Sequence, residues 1–218
     1  FSMNFAIITQ QLVSGMGSSL MIFVLTLLFS MPLGLLVAFG RMSKIKPLQA
    51  VIKVFIAILR GTPLMLQLLV VNFAPYYLFR ISLPRWYRFA AIIIGFSINY
   101  AAYFAEIYRS GIESIPKGQY EAASVLGYNK NQTFFRIIFP QMVKRVLPPV
   151  TNEVITLVKD TSLAFVLAYE EMFTVAKQIA SARTSIMPLF VAGVFYFIFN
   201  GVVAFAMERI EKKLSYYH

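Results

Sequence analysis

Residues 19–39 read SLMIFVLTLLFSMPLGLLVAF. No charge interrupts this run and none precedes it, because Arg41 is the first charged side chain in the sequence. About 20 consecutive apolar residues suffice to cross the hydrocarbon core of a bilayer as an α-helix. The run has no basic flank ahead of it and no small-residue cleavage site after a short apolar core. It therefore reads as a retained span rather than a signal peptide. Four more apolar stretches follow. One covers 48–73 and is interrupted by Lys53 and Arg60, and one covers 89–108 with Glu106 near its end. A third follows Pro148 and Pro149, covers 149–169 and carries Glu153, Lys159 and Asp160, while the last, 187–207, has no charge. With the first span taken as 19–40, these predict an all-α membrane protein of five transmembrane helices. It forms one domain over residues 1–218, with its termini on opposite sides.

Composition agrees. Hydrophobic residues make up 59% of the 218 and charged residues 13%, with 21 Phe and a mean hydropathy of +0.70. Soluble proteins carry about 25% charged residues, so part of this apolar surface requires lipid as its solvent. The excess of 20 Lys and Arg over 9 Asp and Glu gives a formal charge of +11. In a soluble chain that would point to nucleic acid. Here it points to topology, because basic residues gather in cytoplasmic loops. The loops after the first and third spans and the C-terminal tail hold thirteen basic residues. The opposite side holds five: Arg80, Arg85, Arg88, Lys177 and Arg183. The N-terminus is thus expected outside and the C-terminus in the cytoplasm. The stretch 80–88 is more basic than that rule favours, and Trp86 and Tyr87 within it fit an interfacial aromatic belt. Cys is absent, which excludes disulfides, thiolate metal sites and a Cys nucleophile. The single His218 closes the sequence and gives no basis for a His-built catalytic or metal cluster. Phe1 leaves room for a native start upstream.

One sizeable polar insert interrupts the spans, from Arg109 to Arg145. Within it residues 118–127 read GQYEAASVLG. Pro116 and Gly118 precede a good helix-forming stretch, and Gly127 is placed to cap its end, which predicts a helix of about two turns. A second helix is expected over 129–138, stopped by Pro140. A short helix with small residues on one side, too polar for lipid, suits docking into a groove of another protein.

Glu121-Ala122-Ala123, then Gly127, then Ile138-Phe139-Pro140 resembles the EAA loop of ABC importer permeases, with Phe139 where Leu is commoner. Further stretches are similar to the polar amino-acid uptake branch of that family, which covers His, Gln, Glu, Arg and cystine systems. These are Arg60-Gly61-Thr62-Pro63 with Gln67; Ala101-Ala102-Tyr103 with Glu106 and Arg109-Ser110-Gly111-Ile112; Ile115-Pro116-Lys117-Gly118-Gln119; Lys159-Asp160-Thr161-Ser162-Leu163; and Ala176-Lys177-Gln178-Ile179-Ala180. The likeness runs from about residue 15 to 210. It implies the type I importer permease fold in a bacterial cytoplasmic membrane. It also implies a pore made with a second permease subunit (homodimer or heterodimer), ABC ATPase subunits, and an extracytoplasmic solute-binding protein or a fused binding domain. The resemblance further implies that the stretch 112–140, with Gly118, Glu121, Ala122, Ala123 and Gly127, couples to the ATPase. Ala122 and Ala123 would allow close approach, Glu121 would hold the loop or meet a basic partner residue and Gly127 would permit the turn; the alternative is that these residues only stabilise the loop's own fold. The sequence holds no Gly-x-x-x-x-Gly-Lys-Ser/Thr loop. No cofactor is therefore expected in this chain, and ATP and Mg would sit on the partner subunit. The chain itself is expected to be non-catalytic.

Charges within spans are costly and mark function by default. Arg60 lies beside Pro63, and Gln67 shares its helix face; Asn99, Tyr103, Glu106 and Ser110 form one helical stripe; Glu153, Thr156 and Asp160 form another, overlapped by Asn152, Thr156 and Lys159. A zwitterionic amino acid needs a cation and donors for its carboxylate, and an anion and acceptors for its ammonium. Arg60, Thr62, Gln67 and Lys159 are candidates for the first role. Glu153 and Asp160, with Asn99 and Asn152 in support, are candidates for the second, with Thr156 on the shared pore-lining stripe. Against this stands a purely structural use, in which Lys159 neutralises a nearby acid and Arg60 and Glu106 pair with cytoplasmic groups. The small residues of the last span, Gly193 and Gly201 among them, read as helix packing. The rival of another class is a channel or ion-coupled secondary transporter, with the intramembrane carboxylates as an ion relay. An intramembrane enzyme lacks a visible nucleophile, and a structural anchor would not need so many charges.

Overall fold

A computed structural model describes residues 5–214, so Phe1 and His218 lie outside it. Among the described residues every regular element is helical. The order is α1 (Phe5–Arg41), α2 (Lys46–Gly61), α3 (Leu64–Phe79), α4 (Tyr87–Glu113), α5 (Lys117–Val125) and α6 (Lys130–Thr133). A π-helical turn (Phe134–Ile138), α7 (Phe139–Asp160), a 3-10 helix (Thr161–Leu167), α8 (Met172–Arg183) and α9 (Met187–Leu214) complete it.

The apolar runs become the long helices. α1, α4 and α9 are each long and apolar enough to cross a membrane. α4 is the central element and buries most of one side, from Ala91 to Ala105, against α1, α3 and α7. It runs alongside α1 in the same direction: a Cβ on Gly34 of α1 would lie 2.8 Å from Phe104 Cβ and 3.1 Å from Ala101 O. Ala38, Ile56, Ala102 and Ala105 close the same seam one turn further on.

The structure departs from the sequence expectations in three places. The span expected over 48–73 is not one helix. α2 and α3 meet at 112° across Thr62 and Pro63, because Pro63 has no N–H to donate and restricts the residue before it to extended backbone, as seen at Thr62 (φ −121°, ψ 149°). Pro140 does not stop a helix. It is the second residue of α7, directly after a π turn, in a helical run that is unbroken from Lys130 to Asp160. The chain reaches it through the π turn, in which Phe139 N–H bonds to Phe134 O, five residues back. The helix expected to begin near 149 therefore begins at Phe139, holds Pro148 and Pro149 in its interior, and ends at Asp160 instead of continuing to 169. Thr161 and Ser162 hydroxyls donate to Val158 O and Lys159 O, at 2.9 and 2.7 Å, and finish that end.

α8 was not foreseen. It packs against α1 and α9, and its start is held by a buried carboxylate. Glu171 accepts from Phe173 N–H (2.7 Å), Thr174 N–H (2.6 Å) and the Thr174 hydroxyl (2.8 Å). The Tyr196 hydroxyl of α9 also donates to it at 3.0 Å, and the Ser19 hydroxyl of α1 lies 3.4 Å away. One side chain thus joins three helices. Gly15 allows the approach, since a Cβ there would lie 2.8 Å from Met172 Cα.

Candidate functional site

The break between α2 and α3 sets the geometry. Without an N–H on Pro63, Leu59 O loses its helical partner. Two amides replace it: Gln67 Nε2 at 2.8 Å and Asn99 Nδ2 of α4 at 3.2 Å. Asn99 also donates to Gln67 Oε1 at 3.0 Å. Gln67 further donates to Thr62 O and Thr62 Oγ1, and the Thr62 hydroxyl donates to Ile58 O. Three of the residues assigned to substrate from sequence, Thr62, Gln67 and Asn99, are therefore engaged in holding the break open.

Just before the break, the Arg60 guanidinium lies over the Tyr103 ring, 5.1 Å from its centroid. Both face a cavity of about 530 Å³ between α2, α4 and α7, whose polar lining includes Glu106, Ser110, Arg145 and Glu153. Glu106 is committed: Arg109 Nη2 donates to it at 2.7 Å, and Arg41 Nε lies 3.8 Å away. Arg145 Nη1 donates to Ser114 O at 2.7 Å, tying α7 to the root of the insert. Glu153 makes no hydrogen bond or ion pair among the described residues, so the cavity offers one open carboxylate opposite the guanidinium of Arg60.

The other predicted residues on α7 lie elsewhere. Asp160 accepts from the Tyr100 hydroxyl at 2.7 Å. Tyr100 was not picked out from sequence, and its spacing from Glu106 gave no signal for it. Asn152 and Lys159 are exposed, and Thr156 between them turns its hydroxyl back to Asn152 O at 2.9 Å. Lys159 pairs with no acid among the described residues. Their 4-3 spacing keeps all three on one helix stripe, which lipid would penalise.

In the insert, α5 stands out from the bundle. Glu121 and Ala122 are exposed, whereas Ala123 is buried beneath the helix, so the two alanines face different ways. The helix ends with Gly127 N–H on Ser124 O and Tyr128 N–H on Ala123 O, both 3.0 Å. This Schellman closure needs a left-handed residue, and Gly127 supplies it at φ +77°. A Cβ at Gly118 would meet nothing within 4 Å. Val125 and Leu126 project at 87% and 73% exposure.

Comparison with known proteins decides the family. Residues 30–216 match the model of the binding-protein-dependent transport system inner membrane component. The chain belongs to that family. This permease is 37% identical over 196 residues to the L-cystine transport system permease protein TcyB of Bacillus subtilis (strain 168), covering 89% of this chain and 82% of that one. It is 30% identical to the arginine transport system permease protein ArtQ of the same organism, covering 94% and 92%. Among solved structures, the crystal structure of an amino acid ABC transporter with histidines superposes with a TM-score of 0.85 at 29% identity, over 98% of this chain and all of that one. An inward-facing form of the MetNI methionine ABC transporter shares the fold, with a TM-score of 0.75 at 16% identity over 98% and 100%.

Proposed function

We propose that the chain is the transmembrane subunit of an ATP-driven amino-acid importer in a bacterial cytoplasmic membrane. It works with a second permease subunit, ABC ATPase subunits that carry ATP and Mg, and an extracytoplasmic solute-binding protein. One observation carries the reading. The exposed α5 leads through α6 and the π turn into α7, and α7 brings Glu153 into the cavity that Arg60 enters from α2. A displacement of α5 by a motor protein would thereby reach a pair of opposite charges suited to a zwitterion.

In this reading α1, the bent α2–α3 pair, α4, α7 and α9 are five spans, with the N-terminus outside. α7 tolerates its charges because they face the cavity or the neighbouring subunit. Arg60 and Glu153 take the carboxylate and ammonium of the solute, with Asp160 and the Asn152–Thr156–Lys159 stripe along the path. Thr62, Gln67 and Asn99 hold the opened turn in shape. Glu121, Ala122 and Gly118 present the face gripped by the ATPase, while Ala123 and Gly127 fix the helix that presents it. Transport proceeds by alternating access, which requires solute and ATP each to favour different states.

The test is uptake into proteoliposomes holding the assembled complex. ATP with an amino acid delivered by the binding protein should drive accumulation, and Glu153→Gln should lower it roughly 10- to 100-fold, the worth of a charge-assisted hydrogen bond. Accumulation driven by an imposed ion gradient without ATP would overturn the reading in favour of an ion-coupled carrier.

A further inference from the structure

Arg80, Arg85 and Arg88 fall within nine residues, at the end of α4 remote from α5. The sequence contains no acidic residue before Glu106. None of the three arginines forms an ion pair among the described residues. Arg88 Nη1 only reaches Ala168 O, at 3.3 Å. Glu170, two residues past that carbonyl, pairs with none of them. Three exposed cations without counter-ions on the side that ordinarily carries few are an unexplained charge.

A cavity of about 330 Å³ lies beside Arg85 and Arg88, between the end of α3 and the start of α4. Arg85, Arg88, Asn72, Tyr76 and Tyr77 give it a polar wall, and Phe73 gives it an apolar one. Its frame is fixed. Pro75 leaves Val71 O without a helical donor, and the Tyr87 hydroxyl supplies one at 3.0 Å. Tyr77 on the cavity wall, and Leu78, Phe79 and Trp86 close to lining residues in the sequence, are 68–71% exposed. Aromatic side chains of this kind belong at the membrane–water boundary.

We infer that this cavity binds the phosphate headgroup of an anionic phospholipid. Guanidinium forks match phosphate oxygens, Asn72 and the tyrosines add donors, and the apolar rim seats the acyl and glycerol portions at the same level. An acidic protein surface would satisfy the arginines but would leave that rim in water. The inference rests on the membrane placement of the helices and is independent of what the permease carries.

Trp86 is the sole Trp of the chain and lies between Arg85 and Tyr87 of the cavity wall, its ring 6.4 Å from that of Tyr87, so it reports on the site. The full chain is placed in bilayers in which either phosphatidylglycerol or phosphatidylcholine carries brominated acyl chains, and Trp86 quenching is compared at equal mole fraction. Brominated phosphatidylglycerol should quench more strongly, by a binding preference of about fivefold per guanidinium. Arg85→Gln should weaken the preference about fivefold and Arg85→Glu should abolish it, with helix content by circular dichroism unchanged. Equal quenching by the two lipids, or a preference that survives Arg85→Glu, would overturn the assignment. So would absence of quenching by either lipid, which would leave the mouth to a protein. A preference abolished by millimolar inorganic phosphate would place a soluble anion there instead, and would overturn the lipid assignment too.

Discussion

Single side chains in this permease repair what the backbone leaves undone. Proline removes a donor at position 63, and Gln67 and Asn99 answer Leu59 O; at position 75, Tyr87 answers Val71 O. Glu171 does the same for the start of α8, with Tyr196 and Thr174 as additional donors. Glu171→Ala would leave several buried donors unpaired, and each costs about 1–3 kcal/mol. We expect a lower midpoint in thermal unfolding of the purified chain, with Glu171→Gln falling between the two because it keeps one acceptor oxygen. A midpoint equal to that of the unaltered chain would show that the cluster contributes nothing. The sequence hides this cluster for a physical reason. Glu is a poor signal for a helix start beside Ser, Thr, Asp and Asn, and its partners Ser19 and Tyr196 stand 152 and 25 residues away. Arg60 and Glu153, which charge within apolar runs marks in the sequence, line one cavity in the structure. Thr62, Gln67 and Asn99 carry the same polar signal in the sequence, and the hydrogen bonds they make at the α2–α3 break are long-range or proline-dependent contacts that polarity alone does not reveal.

Elements were legible in proportion to how uniformly apolar they are. α1, α4 and α9 contain the runs expected over 19–40, 89–108 and 187–207 but extend beyond them, α1 by fourteen residues at its start, and a helix is the one structure in which a single apolar segment satisfies its own backbone in hydrocarbon. The bent pair α2–α3 and the long α7 were misread because proline has two meanings. Pro63 ends a helix, whereas Pro140 lies within a helical run, and only neighbouring geometry tells them apart. The π turn at Phe134–Ile138 had no sequence signal. It inserts one extra residue between α6 and α7, which sets the rotation of the insert about the α7 axis. Deleting Phe135, an exposed member of that turn, should restore α-helical phase and rotate the insert by roughly 100° relative to α7. The expected result is a complex that still assembles in proteoliposomes, with ATP hydrolysis no longer stimulated by solute and uptake lost. Solute-stimulated hydrolysis that persists unchanged would dissociate the π turn from coupling.

At the scale of the whole molecule, apolar runs and charge asymmetry reached the class of protein, and motif order reached the family. Neither reached the arrangement of helices around the cavity, because packing depends on pairs such as Gly34 with Phe104 that lie far apart in sequence. The proposed orientation has its own test, helped by the absence of cysteine from the chain. Single cysteines at Ser185, in the α8–α9 turn, and at Lys130, in the insert, would label with a membrane-impermeant maleimide from opposite faces of intact cells and inverted vesicles. Labelling of both from the same face would contradict the orientation. The seam between α1 and α4 also limits how such a protein can move. Where two backbones touch across Gly34, no side-chain slack remains to slide on. That seam acts as a fixed post, and whatever swings during a working stroke must pivot around it.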